Sequence, residues 1–430
     1  MAQKRHLKLV DPAGAAKPPA KKRVRKKAEP KLSRQDLILQ SAADLFNDQG
    51  VGSVGLSDLA KKMGLSRATF YHYVADREDL VFRCFQRSCE AETERLDRAD
   101  EAPEGLPSVL RFLEESLGEE ARQTAVITDT GLLSDAPREI IEKAVKRNYD
   151  RLAATIGEGI RIGNIRPCDE QLVARILPSM VSFYRMSGRW VDKQRNVENV
   201  AAILDFVKNG SATNPDTPFE LHHSAEMFSR AQVKGFDALS IADVRIEQIL
   251  MTGSRMINTR GLENVSLEDV AGALGFTRGV YYHYFADRED LIRRCLERGY
   301  ELYDAFIEFA EKHGRNGLEK SLIVAHLNAQ AQAGSLQPVA AWMGFDVLSP
   351  NLRARYADRM RRLLERSDAI AREGLADGSR RDIDYRPITV ARAGAFLWIP
   401  KWISHIDDPS PHRIANEIVS VFKAGLASRA

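Results

Sequence analysis

The chain has 430 residues, 44% of them hydrophobic and 29% charged, which is typical of a globular protein with room for two domains. It contains no run of about 18 uncharged apolar residues and no apolar N-terminal segment, so the sequence predicts neither a membrane span nor a secretory signal. The formal net charge of +3 conceals an asymmetry, because residues 1–31 hold eleven Lys and Arg residues against two acidic ones.

Residues 1–32 form a basic arm that is rich in Pro and Ala and has no hydrophobic periodicity. These properties predict a disordered segment. A flexible polycation favours an anionic polymer such as DNA as its partner, because each phosphate that it neutralises releases counterions. A tail that serves only solubility is the alternative, and composition leaves both interpretations open.

The region after the arm contains a sequence that occurs twice, 211 positions apart. Residues 64–84 and 275–295 are identical at 13 of 21 positions. The first segment contains the string FYHYVADREDL, and the second contains YYHYFADREDL. Upstream, both copies carry apolar residues at the spacing of an amphipathic helix, followed by a shorter helical pattern. A repeat of this kind predicts a duplicated structural unit.

The predicted helices of both copies are delimited by stop and cap residues. Glycine ends the first and second helices, and a hydroxyl or carboxylate side chain caps the third and fourth. Ser266 and Asp269 form a capping pair before the second helix of the second copy, where the first copy has the weaker cap Gly55. The other stops and caps are Gly50, Gly64, Ser66 and Asp76 in the first copy and Gly261, Gly275, Thr277 and Asp287 in the second. The second and third helices, joined by a short turn, form a helix-turn-helix.

Helical periodicity continues downstream of each copy, through 106–207 and 318–427, and no strand alternation stands out. Residues 209–240 contain Gly, Pro, Asn and Ser, which break the pattern and predict a linker. We therefore predict an all-α fold. Its predicted parts are the arm (1–32), a first helix-turn-helix domain (33–87), a first helical bundle (88–209), a linker (210–240), a second helix-turn-helix domain (241–298) and a second helical bundle (299–430).

Both copies resemble the helix-turn-helix region of the tetracycline-repressor (TetR) family of bacterial transcription regulators. The family pattern appears as SRATFYHYVADREDL and TRGVYYHYFADREDL, with Val74 where an aromatic residue is usual and Arg77 and Arg288 where lysine is common. The resemblance covers 35–87 and 246–298 and implies two tandem TetR-like units, each with a helical ligand-binding and dimerisation bundle. Family members usually carry one unit and pair as homodimers. Two units in one chain imply an intrachain pseudo-dimer, which is monomeric or forms a homodimer.

The expected base-reading residues lie at the start of the third helix of each unit, because a recognition helix points its N-terminal residues at base edges. They are Ser66, Arg67, Ala68 and Thr69 in the first unit and Thr277, Arg278, Gly279 and Val280 in the second. Arg67 and Arg278 can each donate a bidentate pair to guanine. Since the units differ at the third and fourth of these positions, we expect an imperfect palindrome with unequal half-sites.

The expected phosphate contacts follow directly along the chain, and they position the protein without specifying sequence. They are Tyr71, His72, Tyr73 and Arg77 in the first unit and Tyr282, His283, Tyr284 and Arg288 in the second. The resemblance implies phosphate contact by the tyrosines. The arginines are expected to bind phosphate because each begins a helix whose N-terminus already favours an anion. The two histidines have a second open interpretation, as partly buried side chains packed beneath the helix.

The resemblance also implies a small-molecule effector that binds a pocket in the helical bundle and releases the DNA operator. Aromatic side chains at helical spacing are candidates for an apolar pocket, although such spacing is also common in plain core. Three of the four tryptophans lie in the second half, so a single pocket is expected there. The candidates are Phe183, Tyr184 and Trp190 in the first half and Trp342, Phe345, Trp398 and Trp402 in the second.

Motifs of other functions are absent or lack their context. The GxGxxG string at 50–55 follows a helix rather than a strand, and His222 and His223 have no third ligand nearby in sequence. We expect no catalysis, no cofactor and no metal. The predicted function is that of a DNA-binding transcriptional repressor in the bacterial cytoplasm, associated with the nucleoid. The alternative is an architectural DNA-binding protein that needs no effector.

Overall fold

The computed structural model describes residues 33–128, 130–187, 197–219, 221, 223–230, 238–276, 283–340 and 348–429. Within these ranges every regular element is a helix, and β pairing is limited to two isolated bridges, Ile165 with Ala427 and Ala212 with Arg380. The predicted all-α class is confirmed. No helix in the described ranges is both long and apolar enough to cross a membrane. The basic arm, residues 1–32, lies outside the described residues.

The first head consists of α1 (Arg34–Gln49), α2 (Leu56–Lys62), α3 (Arg67–Tyr71) and the start of α4 (Arg77–Ala99). The predicted caps are confirmed, because Ser66 Oγ accepts the Thr69 backbone N–H and the Asp76 carboxylate accepts the Asp79 N–H. Gly64 has a φ of 64°, a conformation that costs glycine little and that lets the chain turn directly from α2 into α3.

The second head repeats this arrangement with α9 (Ala238–Arg260), α10 (Leu267–Leu274) and the start of α11 (Arg288–His313). Ser266 and Asp269 form the predicted capping box, whereas Gly55 in the first head makes no side-chain cap. Asp287 caps α11 by accepting the Asp290 N–H. Residues 277–282, which include the start of the predicted recognition helix, lie outside the described residues.

The two bundles contain the remaining helices. The first has α5 (Leu106–Leu117), α6 (Asp135–Arg161), α7 (Glu170–Met186) and α8 (Val197–Asn209), and the second has α12 (Gly317–Ala333), α13 (Pro350–Ala376), α14 (Tyr385–Leu397), α15 (Ile399–Trp402) and α16 (Pro411–Ala424). Helices α4 and α11 run without a break from head to bundle and cross the predicted boundaries at 87/88 and 298/299. The domain boundaries therefore stay predictions.

The two halves pack against each other within the chain, chiefly through α7 and α14. Gly394 on α14 lies so close to α7 that an added Cβ would be 2.3 Å from Ser179 O. Around this crossing the Arg413 guanidinium pairs with Asp169 at 2.5 Å, and the Arg381 guanidinium pairs with Asp205 at 2.7 Å. The tandem units thus form the expected intrachain pseudo-dimer.

The heads differ in how their cores connect to the bundles. The first head has its own apolar cluster, which includes Phe46, Phe70 and Phe85 and takes in Ala125 and Leu133 from the segment before α6. The core of the second head is continuous with the large cluster that fills both bundles. The first head is therefore joined to the rest of the molecule by the continuous helix α4 and by packing against the segment between α5 and α6 and the start of α6.

Candidate nucleic-acid interface and ligand cavity

The start of α3 presents the predicted base-reading residues of the first unit to solvent. Ser66, Arg67 and Ala68 are exposed and Thr69 is half-buried. The Ser66 hydroxyl caps the helix and lies 2.8 Å from Thr69 Oγ1, which fixes the orientation of this turn. In the second unit the predicted base readers Thr277, Arg278, Gly279 and Val280 lie outside the described residues.

The predicted phosphate contacts nearest the readers are accessible. Tyr71 is 50% exposed, and both His72 and His283 are exposed, each edge-on to the tyrosine that follows it. The interpretation of these histidines as partly buried side chains is therefore wrong, and phosphate contact stays a prediction. Tyr73 and Tyr284 are half-buried and pack against apolar cores, while Tyr282 lies outside the described residues.

The two arginines predicted to bind phosphate have hydrogen-bond partners within the protein. Arg77 donates to the carbonyls of Val51, at 2.9 Å, and Gly52. Arg288 donates to the carbonyls of Val265, at 2.7 Å, and Leu262. Each guanidinium thus ties the start of α4 or α11 to the loop after the first helix of its head. A phosphate contact from either arginine has to share or replace these bonds.

The loops held by these arginines meet each other. A Cβ on Gly52 would lie 1.7 Å from Glu263 Oε1, and the two residues are equivalent, 211 positions apart. Equivalent residues meet only near the axis that relates two repeats, so the heads touch along the pseudo-two-fold axis. This contact gives the GxGxxG string a structural reason, because Gly52 leaves room for the side chain of Glu263.

Substitution of Gly52 by glutamate is expected to lower affinity for operator DNA three- to tenfold, because it places a second carboxylate beside Glu263. Substitution by lysine adds similar bulk with the opposite charge and should retain most of the affinity. Titration of labelled operator with both variants measures the difference. Equal losses for glutamate and lysine would contradict a charge effect at this contact.

A cavity of about 740 Å³, the central cavity, lies between the first bundle and the second half, and its size is in the range of small-molecule sites. Helices α4 to α7 and residues 124–128, 130 and 131 form most of its wall. The rest comes from the end of α9, at Thr259 and Arg260, and from residues 398, 400–402, 404 and 405. The cavity is therefore lined by both halves of the chain.

The wall of the central cavity carries buried charge. Arg95 and Arg185 both donate to Thr124 Oγ1, at 3.3 and 3.1 Å, and Arg175 lies over the Tyr149 ring at 5.4 Å. Burial lowers the pKa of Arg95 and Arg175 from the ordinary arginine value and raises the pKa of Tyr149. Burial also raises the pKa of Glu92, against the opposing effect of Arg95 and Arg185.

Two asparagines that were not predicted as site residues link the heads to the bundles. Asn47 Nδ2 donates to Thr124 O at 2.9 Å, and its Oδ1 accepts from Val126 N at 2.7 Å. Asn258 makes the same pair with Pro338 O and Ala340 N, at 3.0 and 2.7 Å. Asn47 and Asn258 are 211 positions apart, so their identity in the repeat was the available signal.

The predicted pocket aromatics are only partly at the cavity. Trp398 and Trp402 line it, but Phe183 packs edge-on against Trp398 and Tyr184 is buried elsewhere in the core. Trp190, Trp342 and Phe345 lie outside the described residues. Most of the wall belongs to the first half, contrary to the expectation of a pocket within the second half. Trp398 and Trp402 of the second half complete this wall from across the interface between the halves. Among the described residues no group of three His, Cys, Asp or Glu side chains could hold a metal ion.

A comparison with known protein families gives one match in each of the two heads. Residues 38–84 and 249–295 match the family model of bacterial regulatory proteins, tetR family. The chain is similar to YhgD of Bacillus subtilis (strain 168), an uncharacterized HTH-type transcriptional regulator, with 27% identity over 197 residues that cover 43% of this chain and 99% of that protein. It is also similar to the HTH-type transcriptional repressor KstR2 of Mycolicibacterium smegmatis, with 26% identity over 183 residues that cover 40% of this chain and 89% of that protein.

Among solved structures, the TetR family regulator PfmR from Thermus thermophilus has 24% identity, covers 40% of this chain and 96% of its own, and has a TM-score of 0.35. The relatives span less than half of this chain, whereas the family model matches once in each half. The chain therefore carries, in tandem, two helix-turn-helix units that match the tetR family of bacterial regulatory proteins.

Proposed function

We propose that this chain is a sequence-specific transcriptional repressor that reads an imperfect palindrome with its two heads and leaves it when a small molecule fills the central cavity. The contact between the equivalent residues Gly52 and Glu263 carries the proposal, because it holds the two heads in a defined relation within one polypeptide. A dimeric reader needs a fixed spacing between its recognition helices. One chain thus supplies both readers.

The proposed reading surface begins with Arg67 in the first unit and Arg278 in the second. The exposed Ser66–Ala68 turn supports this assignment, and the exposed side chains of Tyr71 and His72 are the proposed contacts to the DNA backbone. The name of the relative KstR2, a repressor, favours repression over activation. Since the halves already pair through α7 and α14, a single chain on one operator is the simplest assembly.

Release by the effector follows from the position of the cavity. Its wall includes Thr124, to which Asn47 of the first head is bonded, and Thr259 and Arg260 at the end of the first helix of the second head. A ligand there contacts a segment that is bonded to the first head and the end of a helix of the second head. An effector acts only through different affinities for the two states, so it has to favour a head spacing that does not fit the operator.

Selection of bound DNA from a random pool, followed by the mass of the complex on the selected sequence, tests the proposal. A sequence with two half-sites bound by one chain is the expected result, with affinity at least about 10³-fold above non-specific DNA. Recovery of no preferred sequence would contradict the proposal and favour an architectural DNA-binding protein. Two chains on one operator would contradict the single-chain assembly.

Alteration of the first reader is expected to change one half-site only. Arg67→Ala should weaken operator binding by about 1–3 kcal/mol, roughly five- to 150-fold, and relax the preference at a single base pair. Thr69→Val gives the first unit the residue that the second has at Val280, and its half-site preference should move toward that of the second unit. Repeated selection with each variant measures both effects. An unchanged preference with Thr69→Val would count against unequal half-sites.

A further inference from the structure

We propose that the central cavity binds one amphipathic anion per chain, with its acidic group near Arg95, Arg175 and Arg185 and its apolar part against Phe112, Trp398 and Trp402. This inference rests on the proposed function, since it names the chemical class of the effector. Four features of the described residues carry it: the charge of the wall, its unpaired polar atoms, the filled equivalent region of the second half, and the contacts between the arginines and the first head.

The charge of the cavity wall is strongly unbalanced. The described lining residues include eleven charged side chains, of which eight are Arg or Lys and three are Glu. Most of the cations at the mouth are exposed and screened, but Arg95 and Arg175 are buried, at 6% and 3% exposure. Buried cations without full pairing are costly, and an anion that pairs with them recovers that cost. A neutral or cationic ligand cannot form an ion pair with these two arginines.

Three lining side chains carry buried polar atoms that have no hydrogen-bond partner in the described structure. They are Arg175 Nε, Ser116 Oγ and Trp402 Nε1. Arg175 Nη1 is bonded to Gln171 O at 2.7 Å, so the guanidinium is held in place while its Nε–H is left over. All three groups can donate, as an acidic oxygen requires. Charge-assisted bonds from a fixed guanidinium are among the stronger hydrogen bonds in proteins.

The equivalent region of the second half is filled. Glu92 and Arg95 on α4 correspond, 211 positions on, to Tyr303 and Phe306 on α11, and both aromatic side chains are buried. The Tyr303 hydroxyl lies 3.0 Å from Val339 O, a contact that satisfies it inside the protein. Both bundles carry a Val-Ala-Arg triplet, but Arg392 of the second is bonded to Ser321 Oγ at 2.6 Å. The asymmetry indicates one ligand per chain.

The arginines of the cavity also contact the segment that holds the first head. Arg185 donates to Thr124 O at 2.8 Å, the same oxygen that accepts from Asn47 at 2.9 Å. Arg95 donates to the Thr124 hydroxyl. An anion in the cavity competes with Thr124 for both guanidinium groups. Binding of the anion therefore loosens the segment to which Asn47 is bonded, and this links occupancy to the position of the first head.

Titration calorimetry of the full chain with decanoate, decan-1-ol and decyltrimethylammonium tests the charge requirement at constant chain length. The fluorescent aromatic sulfonate 8-anilinonaphthalene-1-sulfonate serves as a second, bulkier anion. We expect both anions to bind one per chain, and the neutral and cationic decyl compounds to bind at least tenfold more weakly. Saturable binding of neither anion, equal binding of decan-1-ol, or two anions per chain would overturn the proposal.

Variants locate the anion. Arg175→Gln should weaken decanoate binding at least tenfold, and Arg95→Gln, on another helix, should act in the same direction, whereas Arg175→Lys retains the charge and most of the affinity. Arg386→Gln is the matched control, because Arg386 is an exposed arginine on α14 that pairs with Asp384 outside the cavity. An equal loss with Arg386→Gln, or no loss with both cavity variants, would overturn the assignment.

Operator binding by the same preparations, without any anion, keeps the two proposals apart. Specific operator binding together with failure of both anions to bind would contradict the anion site but not the regulatory function. Tight binding of one anion per chain without a preferred DNA sequence would contradict the function as a sequence-specific regulator but not the anion site. Release of the operator by decanoate at its calorimetric affinity, lost in Arg175→Gln, is the expected combined result.

Discussion

Replacement of Glu247 by alanine is expected to lower the free energy of unfolding by about 3–5 kcal/mol, because it leaves Arg298 as a buried, unpaired cation. The Arg298 Nε lies 2.7 Å from Glu247 Oε1, and both side chains are less than 10% exposed. Arg298 also donates to Leu336 O at 2.8 Å. The pair thus joins α9 of the second head to α11 and to the loop after α12. Urea unfolding followed by circular dichroism measures the loss.

Two controls separate burial from charge in this prediction. Arg361→Ala removes one partner of the exposed Arg361–Glu365 pair and should change stability by less than about 1 kcal/mol. Replacement of both buried partners, Glu247→Leu with Arg298→Met, should recover most of the loss, since no charge is then left buried. A loss for Glu247→Ala no larger than that for Arg361→Ala would show that the pair is solvated.

Local features of the heads could be predicted from the sequence because their causes lie within a few residues. The caps Ser66 and Asp76, the capping box of Ser266 and Asp269, and the turn at Gly64 all depend on side chains and backbone two to four residues apart. The repeat added a second, independent example of most of them. The all-α class and the tandem units followed from the same evidence.

Contacts between distant segments could not be predicted in this way. Arg77 was expected to bind phosphate because it begins a helix, but the carbonyls of Val51 and Gly52 come within its reach only after the head has folded. Every residue has a backbone carbonyl, so residue types do not show which carbonyl will accept a hydrogen bond. Asn47 and Asn258 were equally hidden, although their equivalence in the repeat marks both as positions that the two units use alike.

The predicted location of the cavity differs from the observed one for a related reason. Aromatic residues were assigned to the half in which they occur along the chain, whereas Trp398 and Trp402 line a cavity whose wall is mostly in the first half. The charged residues that dominate that wall, such as Arg95 and Arg175, are spread over separate helices and resemble ordinary surface positions in the sequence. Only the packing of α7 against α14 brings the two sets together.

Substitution of Gly394 by leucine is expected to separate the halves and to lower both stability and operator affinity. A Cβ at this position would lie 2.3 Å from Ser179 O and 2.6 Å from Phe183 Cβ, so α14 has to move away from α7. Overpacking of this kind costs about 1–3 kcal/mol, or more where backbone has to shift. Because the same packing sets the distance between the heads, operator affinity should fall at least tenfold. Thermal unfolding and operator titration measure the two effects.

Gly157→Ala is the matched control, since Gly157 is also within a helix but has open space where a Cβ would be. That variant should be neutral or gain up to about 1 kcal/mol, because alanine favours helix over glycine. If Gly394→Leu bound operator with normal affinity while losing stability, the spacing of the heads would be set by the Gly52–Glu263 contact alone. If it kept both, the α7–α14 crossing would have to adapt without moving the heads, and the intrachain interface would not fix their spacing.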